Sequence, residues 1–456
     1  MRAEPLRGLT EEDFTKHRVE MYQFAGELYP ICRSITGHGI RQTLAMIEMR
    51  IPLVISEVPT GASVFDWTIP REWNVRDAYI KNSRGERVVD FQKHNLHLMS
   101  YSIPVHATMS LNDLRPHLHS VPDHPDWIPY RTSYYREDWG FCLTHTQLMA
   151  LEDGNYEVCI DSSFEQGNLT YGECYLPGRS TDEVLISCHI CHPSLANDNL
   201  SGLTVATALA GILATQELRY SYRFLFIPGT IGAISWLARN AKAADKVRHG
   251  LVLTCVGDAG GFHYKKSRRG SAEIDRVVTH LLKHRDEPSE TMEFSPYGYD
   301  ERQYCSPGFD LPVGCLMRSV WGTFPEYHTS ADDLSFIHPQ QLAATLRLCL
   351  EVCDTLERNN TYLNQNPFCE PQLGKRNLYR NTGGTAIDVD INALLWVLNQ
   401  SDGRNSLLDI AERSGLPFAF IANAARLLQE NDLLTEAGYA TDTVGCNAIK
   451  IDTSVR

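Results

Sequence analysis

An α/β fold with a mostly parallel, mixed sheet and helices on both faces is the class this sequence predicts, with an inserted all-β domain and a C-terminal winged helix. Three observations predict it. From Val184 to Arg358, short apolar runs alternate with stretches of helical period; strands alternating with helices imply parallel crossovers. From about Gly61 to Glu165 the chain turns rich in Trp, Tyr, Pro and His, with short alternating runs such as Arg87-Val88-Val89-Asp90-Phe91 and turns such as Asn82-Ser83-Arg84-Gly85, the texture of an all-β module. Beyond Lys375 come helix, helix, turn, helix and a short ribbon, the winged-helix pattern.

Glu11 to Met49 reads as two helices around a break at Tyr29-Pro30 and Gly37-His38-Gly39. Asn168–Gly178 resumes strand character after the β module. Strands then fall at Val184–Cys188, Tyr222–Ile227, Gly250–Val256 and Val313–Leu316. Helices fall at Gly202–Thr215, Ala233–Ala241, Ala272–His284 and Gln340–Arg358. In the tail, Ile391–Leu398, Ser406–Arg413 and Phe418–Glu430 read as helices, with Gly415 in the turn before the third. The expected division is residues 1–60 with 166–365 as the α/β domain, 61–165 as the β insert and 375–456 as the winged helix.

The chain has 456 residues and 43% hydrophobic content, enough for two or three full cores. A net charge of −14 argues against nucleic acid or an anionic membrane as the main partner. The tail carries eight Lys/Arg against ten Asp/Glu from Lys375 onward, without the basic face of a DNA reader; a docking or dimerisation module is the favoured reading, which leaves a homo-oligomer open. No apolar run is long enough to span a bilayer and the N-terminus lacks an apolar signal core, so a cytoplasmic protein is expected. The thirteen cysteines follow no framework spacing and are expected to be mostly reduced.

The chemistry concentrates in Val184–Gly202, VLISCHICHPSLANDNLSG. An apolar strand ends in His189, a second imidazole follows at His192, and Asp198 precedes a helical run. A His at a strand's C-terminal end and an Asp at the next helix's start meet in the crevice where α/β sheets bind ligands. Imidazole and carboxylate suit a zinc-type ion. Asp258 follows the strand at Val252–Val256, and His328 lies in the loop before the last long helix. His189, Asp198, Asp258 and His328 form the candidate ligand set for one zinc, or two bridged by Asp198. Asp332, one turn beyond His328, is expected to orient that imidazole. Singly, Asp198 reads equally as a helix cap and Asp258 as a turn former; the joint arrangement carries the metal reading.

The order His, Asp-Asn-x-Ser-Gly, strand-end Asp and Tyr-His-Thr-x-x-Asp resembles the co-catalytic zinc aminopeptidases, whose relatives include glutamate carboxypeptidase and glutaminyl cyclase. The chain is more similar still to a bacterial branch of aminopeptidase-like proteins with an inserted β domain and a winged helix. The shared strings are Leu28–Gly37 (LYPICRSITG), Cys191–Ser194 (CHPS), Asn197–Gly202 (NDNLSG), Asp300–Tyr304 (DERQY) and Glu326–Ser330 (EYHTS). The resemblance implies that His189 and Asp258 bind one zinc, that Asp198 bridges and that His328 binds a second. It also exposes a departure. Gly229 and Thr230 stand where the peptidases carry a Glu-Glu pair, 31 residues after Asp198 and 29 before Asp258. The peptidases' His-x-Asp is His189-Ile190-Cys191 here. Without that pair a general base worth about 10²–10⁴ in rate is missing, and Glu301 and Glu326 are the candidate substitutes, with His192 a third.

Arg33, Arg302 and Tyr327 are the candidate substrate contacts; an arginine suits a carboxylate or phosphate. Lys265-Lys266 with Arg268-Arg269 reads as a solvated loop. The aromatics Trp67, Trp73, Trp127, Tyr130, Tyr134, Tyr135 and Trp139 read mainly as the β module's core, and otherwise as a wall over the pocket. The first expectation is a zinc-dependent hydrolase acting on an amide of a small amino-acyl or peptide-like molecule. The alternatives are a same-fold metalloenzyme with other chemistry, such as acyl transfer or a specialised biosynthetic amidase, and a non-catalytic binding protein.

Overall fold

A computed structural model describes residues 9–378 and 389–437. The expected winged-helix residues beyond 437 lie outside the described part. The chain divides into two compact units, one over Leu6–Val352 and one from Cys353 onward.

The larger unit is organised by an eight-stranded sheet. Its strands are β1 (Val54–Pro59), β2 (Asn168–Leu176), β3 (Glu183–His189), β4 (Ser221–Ile227), β5 (Val247–Leu253), β6 (Phe262–Lys265), β7 (Ser289–Met292) and β8 (Val313–Met317). They lie in the order β1-β2-β4-β3-β5-β8-β6-β7. β3 pairs in parallel with both β4 and β5, and β5 with β8. The edges are antiparallel where β1 meets β2, β2 meets β4 and β6 meets β8. β3 and β4 are buried at all seven positions each, which is why they read as continuous apolar runs rather than alternating ones. Helices Gly202–Leu213, Ile231–Arg239 and Glu273–Lys283 follow β3, β4 and β6 and contact the sheet.

β5 ends at Leu253, three residues short of the expected Val256, because Cys255 takes a left-handed turn (φ +50°). Asp258 therefore sits within a loop rather than at a strand end. β6 and β7, four residues each, carry too few alternations to register in the sequence.

The segment between β1 and β2 forms a four-stranded antiparallel sheet in the order Arg87–Asp90, Glu72–Lys81, Asn155–Glu165, Val105–Ser110. Glu72, nearly buried, ties it to the α/β frame. Its carboxylate pairs with Arg41 and accepts from Asn168 N at 3.1 Å. Burial would raise this carboxyl, but Arg41 holds it down at about 2.

In the second unit, helices Val389–Gln400, Leu407–Ser414 and Phe418–Glu430 accompany a three-stranded sheet. Ser406 and Asp409 cap the middle helix reciprocally, and Gly415 (φ +72°) ends it, as its left-handed conformation requires. The central strand is Thr361–Asn364, between Asp402–Ser406 and Leu434–Glu436. The winged helix thus starts before residue 375: the short strand lies against Asn359-Asn360, so its polar surroundings disguise it as a link.

Candidate metal centre and pocket

His189 closes β3, and the chain returns through Ile190–Leu195 to an irregular wide turn, Ala196–Ser201, that leads into helix Gly202–Leu213. The residues flanking Asp198 fix this turn. Asn197 Nδ2 donates to Asp258 Oδ2 at 2.8 Å, and Gly257 N donates to Asn197 Oδ1 at 2.8 Å. Asn199 Nδ2 donates to Leu253 O at 2.9 Å. Leu195 anchors the same turn in a buried cluster with Leu96, Ile128, Tyr130 and Cys142 of the β-rich segment.

Three side chains converge as a result. His189 Nε2 lies 2.7 Å from Asp198 Oδ1 and 3.1 Å from His192 Nδ1, and His192 Nδ1 lies 3.6 Å from Asp198 Oδ1. Among the described residues these three form a group able to hold one metal ion. On the other carboxylate oxygen, His328 Nε2 lies 2.9 Å from Asp198 Oδ2 and Tyr299 donates its hydroxyl at 2.6 Å. Tyr327 extends that chain, its hydroxyl 2.7 Å from that of Tyr299. The donor set fits a zinc-class ion: imidazole nitrogen and carboxylate oxygen, buried and mutually within reach. Burial alone would raise the Asp198 carboxyl, but the imidazoles of His192 and His189 outweigh it and hold it well below the usual range. Burial pushes His192 and His328 down, toward the neutral, metal-binding form, and pushes the Tyr299 and Tyr327 hydroxyls up, so they stay donors.

The β-rich segment builds one side of this centre. Tyr130 N donates to His328 O at 2.8 Å, Ser330 N to Ile128 O at 2.8 Å and Ile128 N to Ser330 Oγ at 2.9 Å. That short bridge holds His328 at φ +57°, an unusual backbone conformation for a non-glycine residue. The buried Tyr130 ring stands edge-on to His192 and His328, 5.2 Å from each. Trp73 is buried as core, whereas Trp67, Tyr134 and Tyr135 line the pocket above His189 and His192. Trp127 and Trp139 stack on His124 and His117. The pocket encloses about 290 Å³, and its lining also includes Gly229, Thr230, Tyr299, Arg302, Trp321 and Tyr327.

Several expected residues take other places. His192, offered by the sequence as a third substitute for the missing base, stands instead within the group that could hold a metal. Asp258 does not join the group: its oxygens are filled by Gly260 N, Asn197 Nδ2 and both the backbone N and hydroxyl of Ser319. Asp332 does not orient the His328 ring; it accepts from the backbone N of Asn197 at 2.5 Å and of Asp198 at 2.9 Å, so it holds the peptide that carries the Asp198 carboxylate. Arg33 is 1% exposed and donates to the carbonyls of His192 and Leu28 at 2.9 and 2.6 Å, which makes it a brace beneath His192 rather than a substrate contact. Glu301 lies buried behind the pocket, 2.6 Å from the equally buried Lys265; Lys265 is therefore not part of a solvated loop. Glu326 is half-buried in the loop before His328, and neither glutamate lines the pocket. Arg302 and Tyr327 do line it.

Tyr299 escaped the sequence reading, although its ring stacks on His189 at 4.4 Å and its hydroxyl reaches Asp198. The Tyr297-Gly298-Tyr299 run beside Asp300 was the available signal. Asn197 and Asn199 were visible in Asn-Asp-Asn, yet their role in shaping the turn needs Gly257 and Leu253 beside them.

Comparison with known proteins places the fold that carries these residues. A Clostridium acetobutylicum protein named as a polysaccharide biosynthesis protein with an aminopeptidase-like domain is 53% identical over 416 residues, covering 91% of this chain and 96% of its own. A crystal structure from that organism, named as a peptidase, superposes with a TM-score of 0.89 at 51% identity, over 93% of this chain and 98% of that one. The zinc aminopeptidase BSAP of Bacillus subtilis shares the fold at a TM-score of 0.54 and 11% identity, over 74% of this chain and 94% of its own. Among the described residues no helix is long and apolar enough to cross a membrane. Residues 360–436 match a winged helix-turn-helix family. Residues 22–359 match a domain of unknown function, DUF4910, and the chain belongs to that family, whose frame here is aminopeptidase-like.

Proposed function

We propose that the chain is a zinc-dependent hydrolase of an amide bond in a small acylated substrate. The observation that carries this reading is the convergence of His189, His192 and Asp198, with His328 on the second oxygen of Asp198, beneath a pocket of about 290 Å³. The aminopeptidase-like frame supports it, and so do the relatives' names. His189, His192 and Asp198 would hold one ion, and His328 with the second Asp198 oxygen would hold another where two bind. A zinc-class ion there supplies Lewis-acid polarisation of a carbonyl and acidification of water.

The remaining work falls to the chain's own residues. Asp332 and Asn199 keep Asp198 and its turn in register, and Arg33 braces the carbonyl of His192. Tyr327, at the pocket wall, would turn its hydroxyl from the Tyr299 oxygen to charge developing on the acyl oxygen. In the reaction, water's oxygen bonds to the acyl carbon, the C–N bond breaks and nitrogen takes a proton, leaving an acid and an amine. Of the two candidate glutamates Glu326 is the one free to carry that proton in this reading: it lies outside the pocket lining, in the loop that leads to His328, and its side chain makes no hydrogen bond or ion pair among the described residues, whereas Glu301 is engaged by Lys265. The winged helix serves docking rather than DNA, given its acidic balance.

The test is zinc per chain by plasma mass spectrometry, followed by turnover of an N-acyl and aminoacyl panel. One or two zincs and hydrolysis that falls about 10²–10⁴-fold in Glu326→Gln support the reading. Absence of bound metal after incubation with zinc overturns it.

A further inference from the structure

Arg302 sits in the same pocket as His189 and His192. Its Nε is buried without a hydrogen-bond partner, and no carboxylate among the described residues pairs with its guanidinium. A guanidinium carries five donors and no acceptor, and burying such donors unpaired is costly. A cation left open in a ligand pocket is therefore a receptor for an anion, and its planar fork fits a carboxylate or phosphate on two oxygens.

The rim of the pocket makes a second, independent statement. Trp67 and Tyr135 are 45% and 50% exposed and pack edge to face at 5.2 Å. Tyr297, in the same lining, is 73% exposed. Exposed large rings clustered at a pocket mouth do nothing for the core and mark a contact surface. Flat rings with hydroxyl edges match a pyranose, whose C–H faces are apolar and whose rim is polar. With Thr230 alongside, the walls offer rings for the faces and hydroxyls for the edges, in a volume that admits about one sugar and a short acyl group.

We infer that the pocket takes an anionic N-acylated sugar, with Arg302 on its carboxylate or phosphate and the Trp67–Tyr135 pair against its ring. The inference rests on the hydrolase reading for its chemistry: water adds to the acyl carbon, the C–N bond breaks, nitrogen takes the proton, and a free amino sugar and a carboxylic acid leave. Arg302 fixes which sugars enter; Trp67 and Tyr135 fix that a sugar enters.

Calorimetric titration of the full chain, with and without added zinc, tests this with four probes. These are N-acetylmuramic acid (carboxylate), N-acetylglucosamine 6-phosphate (phosphate), neutral N-acetylglucosamine and N-acetylphenylalanine. The expected result is that one or both anionic sugars bind about tenfold or more tighter than the neutral one, and the better of the two identifies the anion. Arg302→Met abolishes that preference. Arg302→Lys restores part of it. Trp67→Ala weakens all sugars alike, and the thermal midpoints of the variants show that they remain folded. Equal binding of anionic and neutral sugars, an Arg302→Met variant with an unchanged preference, or binding of N-acetylphenylalanine alone overturns the inference. Its failure is separable from that of the hydrolase reading: a protein that holds zinc and cleaves aminoacyl amides but ignores sugars loses only the sugar, whereas sugar selectivity without retained zinc loses only the hydrolase.

Discussion

Two buried polar regions flank one pocket and are built in opposite ways. Around Asp198 the polar atoms meet one another: both carboxylate oxygens are contacted, two imidazoles on one side and an imidazole and a tyrosine hydroxyl on the other. Around Asp300–Arg302 they do not. Both oxygens of Asp300 and Nε of Arg302 are buried without hydrogen-bond partners, and Glu301 meets a single cation, Lys265. The first region is complete once the chain folds, so a metal entering it finds ligands already in place. The second carries a desolvation cost that folding leaves unrelieved, and such a cost is kept only where another group offsets it.

The strongest way to break the comparison is to remove the acceptor at its centre. Asp198→Ala leaves three imidazoles facing one another with no carboxylate. Loss of an outer hydrogen-bond partner costs a metal site about 10–100-fold in affinity, so loss of this ligand should exceed 100-fold and abolish hydrolysis. Zinc titration with a fluorescent competitor reads the change; a variant that binds zinc as the parent does would show that the cluster is a hydrogen-bond network and nothing more.

Next in size is the buried pair behind the pocket. Lys265 and Glu301 are at most 1% exposed at their side chains. Removing one partner of such a pair leaves a buried charge and costs about 3–5 kcal/mol. Lys265→Met should lower the denaturation midpoint accordingly, and Lys265→Met with Glu301→Leu should recover most of the loss. If the single variant is neutral, Glu301 is not ionised in the folded protein and its segment is less unlike Asp198 than argued.

Asp332→Ala is a smaller and cleaner probe. It removes the acceptor for two backbone donors, those of Asn197 and Asp198, without touching an imidazole. Zinc affinity should fall about 10–100-fold and stability by about 1–3 kcal/mol for the orphaned donors. A stability loss without an affinity loss would mean that the Asp198 turn holds its shape unaided.

The frame was legible because β3 and β4 are seven-residue apolar strands with helices of clear period behind them. Phe418–Glu430 was legible to the residue. Short strands such as β6 and Thr361–Asn364 were not, since four residues carry no period and their identity comes from their neighbours. In the candidate site, His189 and Asp198 drew attention by their position at element ends and His328 by its loop before the last long helix, and the structure brings the three together. Their surroundings were not legible. Whether Asp258 ligates or scaffolds depends on Ser319, and whether Arg33 faces substrate or supports His192 depends on which way a buried arginine turns; both are facts of tertiary packing 61 and 159 residues away in sequence. The aromatics read both as core and as a pocket wall, and the sequence could not divide them for the same reason: Trp67 and Trp73 lie six residues apart, and only the sheet decides that one is rim and the other core.

The smallest predicted effect separates paired from unpaired carboxylates by the sign of their pH dependence. Glu72, paired with Arg41, titrates at about 2 in the folded protein against the usual 4.5. A depressed folded value means that its stabilisation is full above about pH 4.5 and fades as pH falls toward 2. Between pH 5 and 3 the protein should lose about 1–2 kcal/mol through this group, and Glu72→Gln should flatten that part of the acid limb. Asp300 lies on the other side. Burial, with Glu301 beside it, raises its carboxyl well above the ordinary 3.8 and outweighs the pull of Arg302. The unfolded chain then releases a proton that the folded one keeps, so stability falls as pH rises past 3.8. Asp300→Asn should remove that fall and stabilise the protein at neutral pH. Urea midpoints from pH 3 to 8 for the two variants should therefore diverge from the parent in opposite directions, Glu72→Gln below it at neutral pH and Asp300→Asn above it. Midpoints that move the same way would mean that Asp300 has a partner in solution, and the contrast between the two polar regions would close.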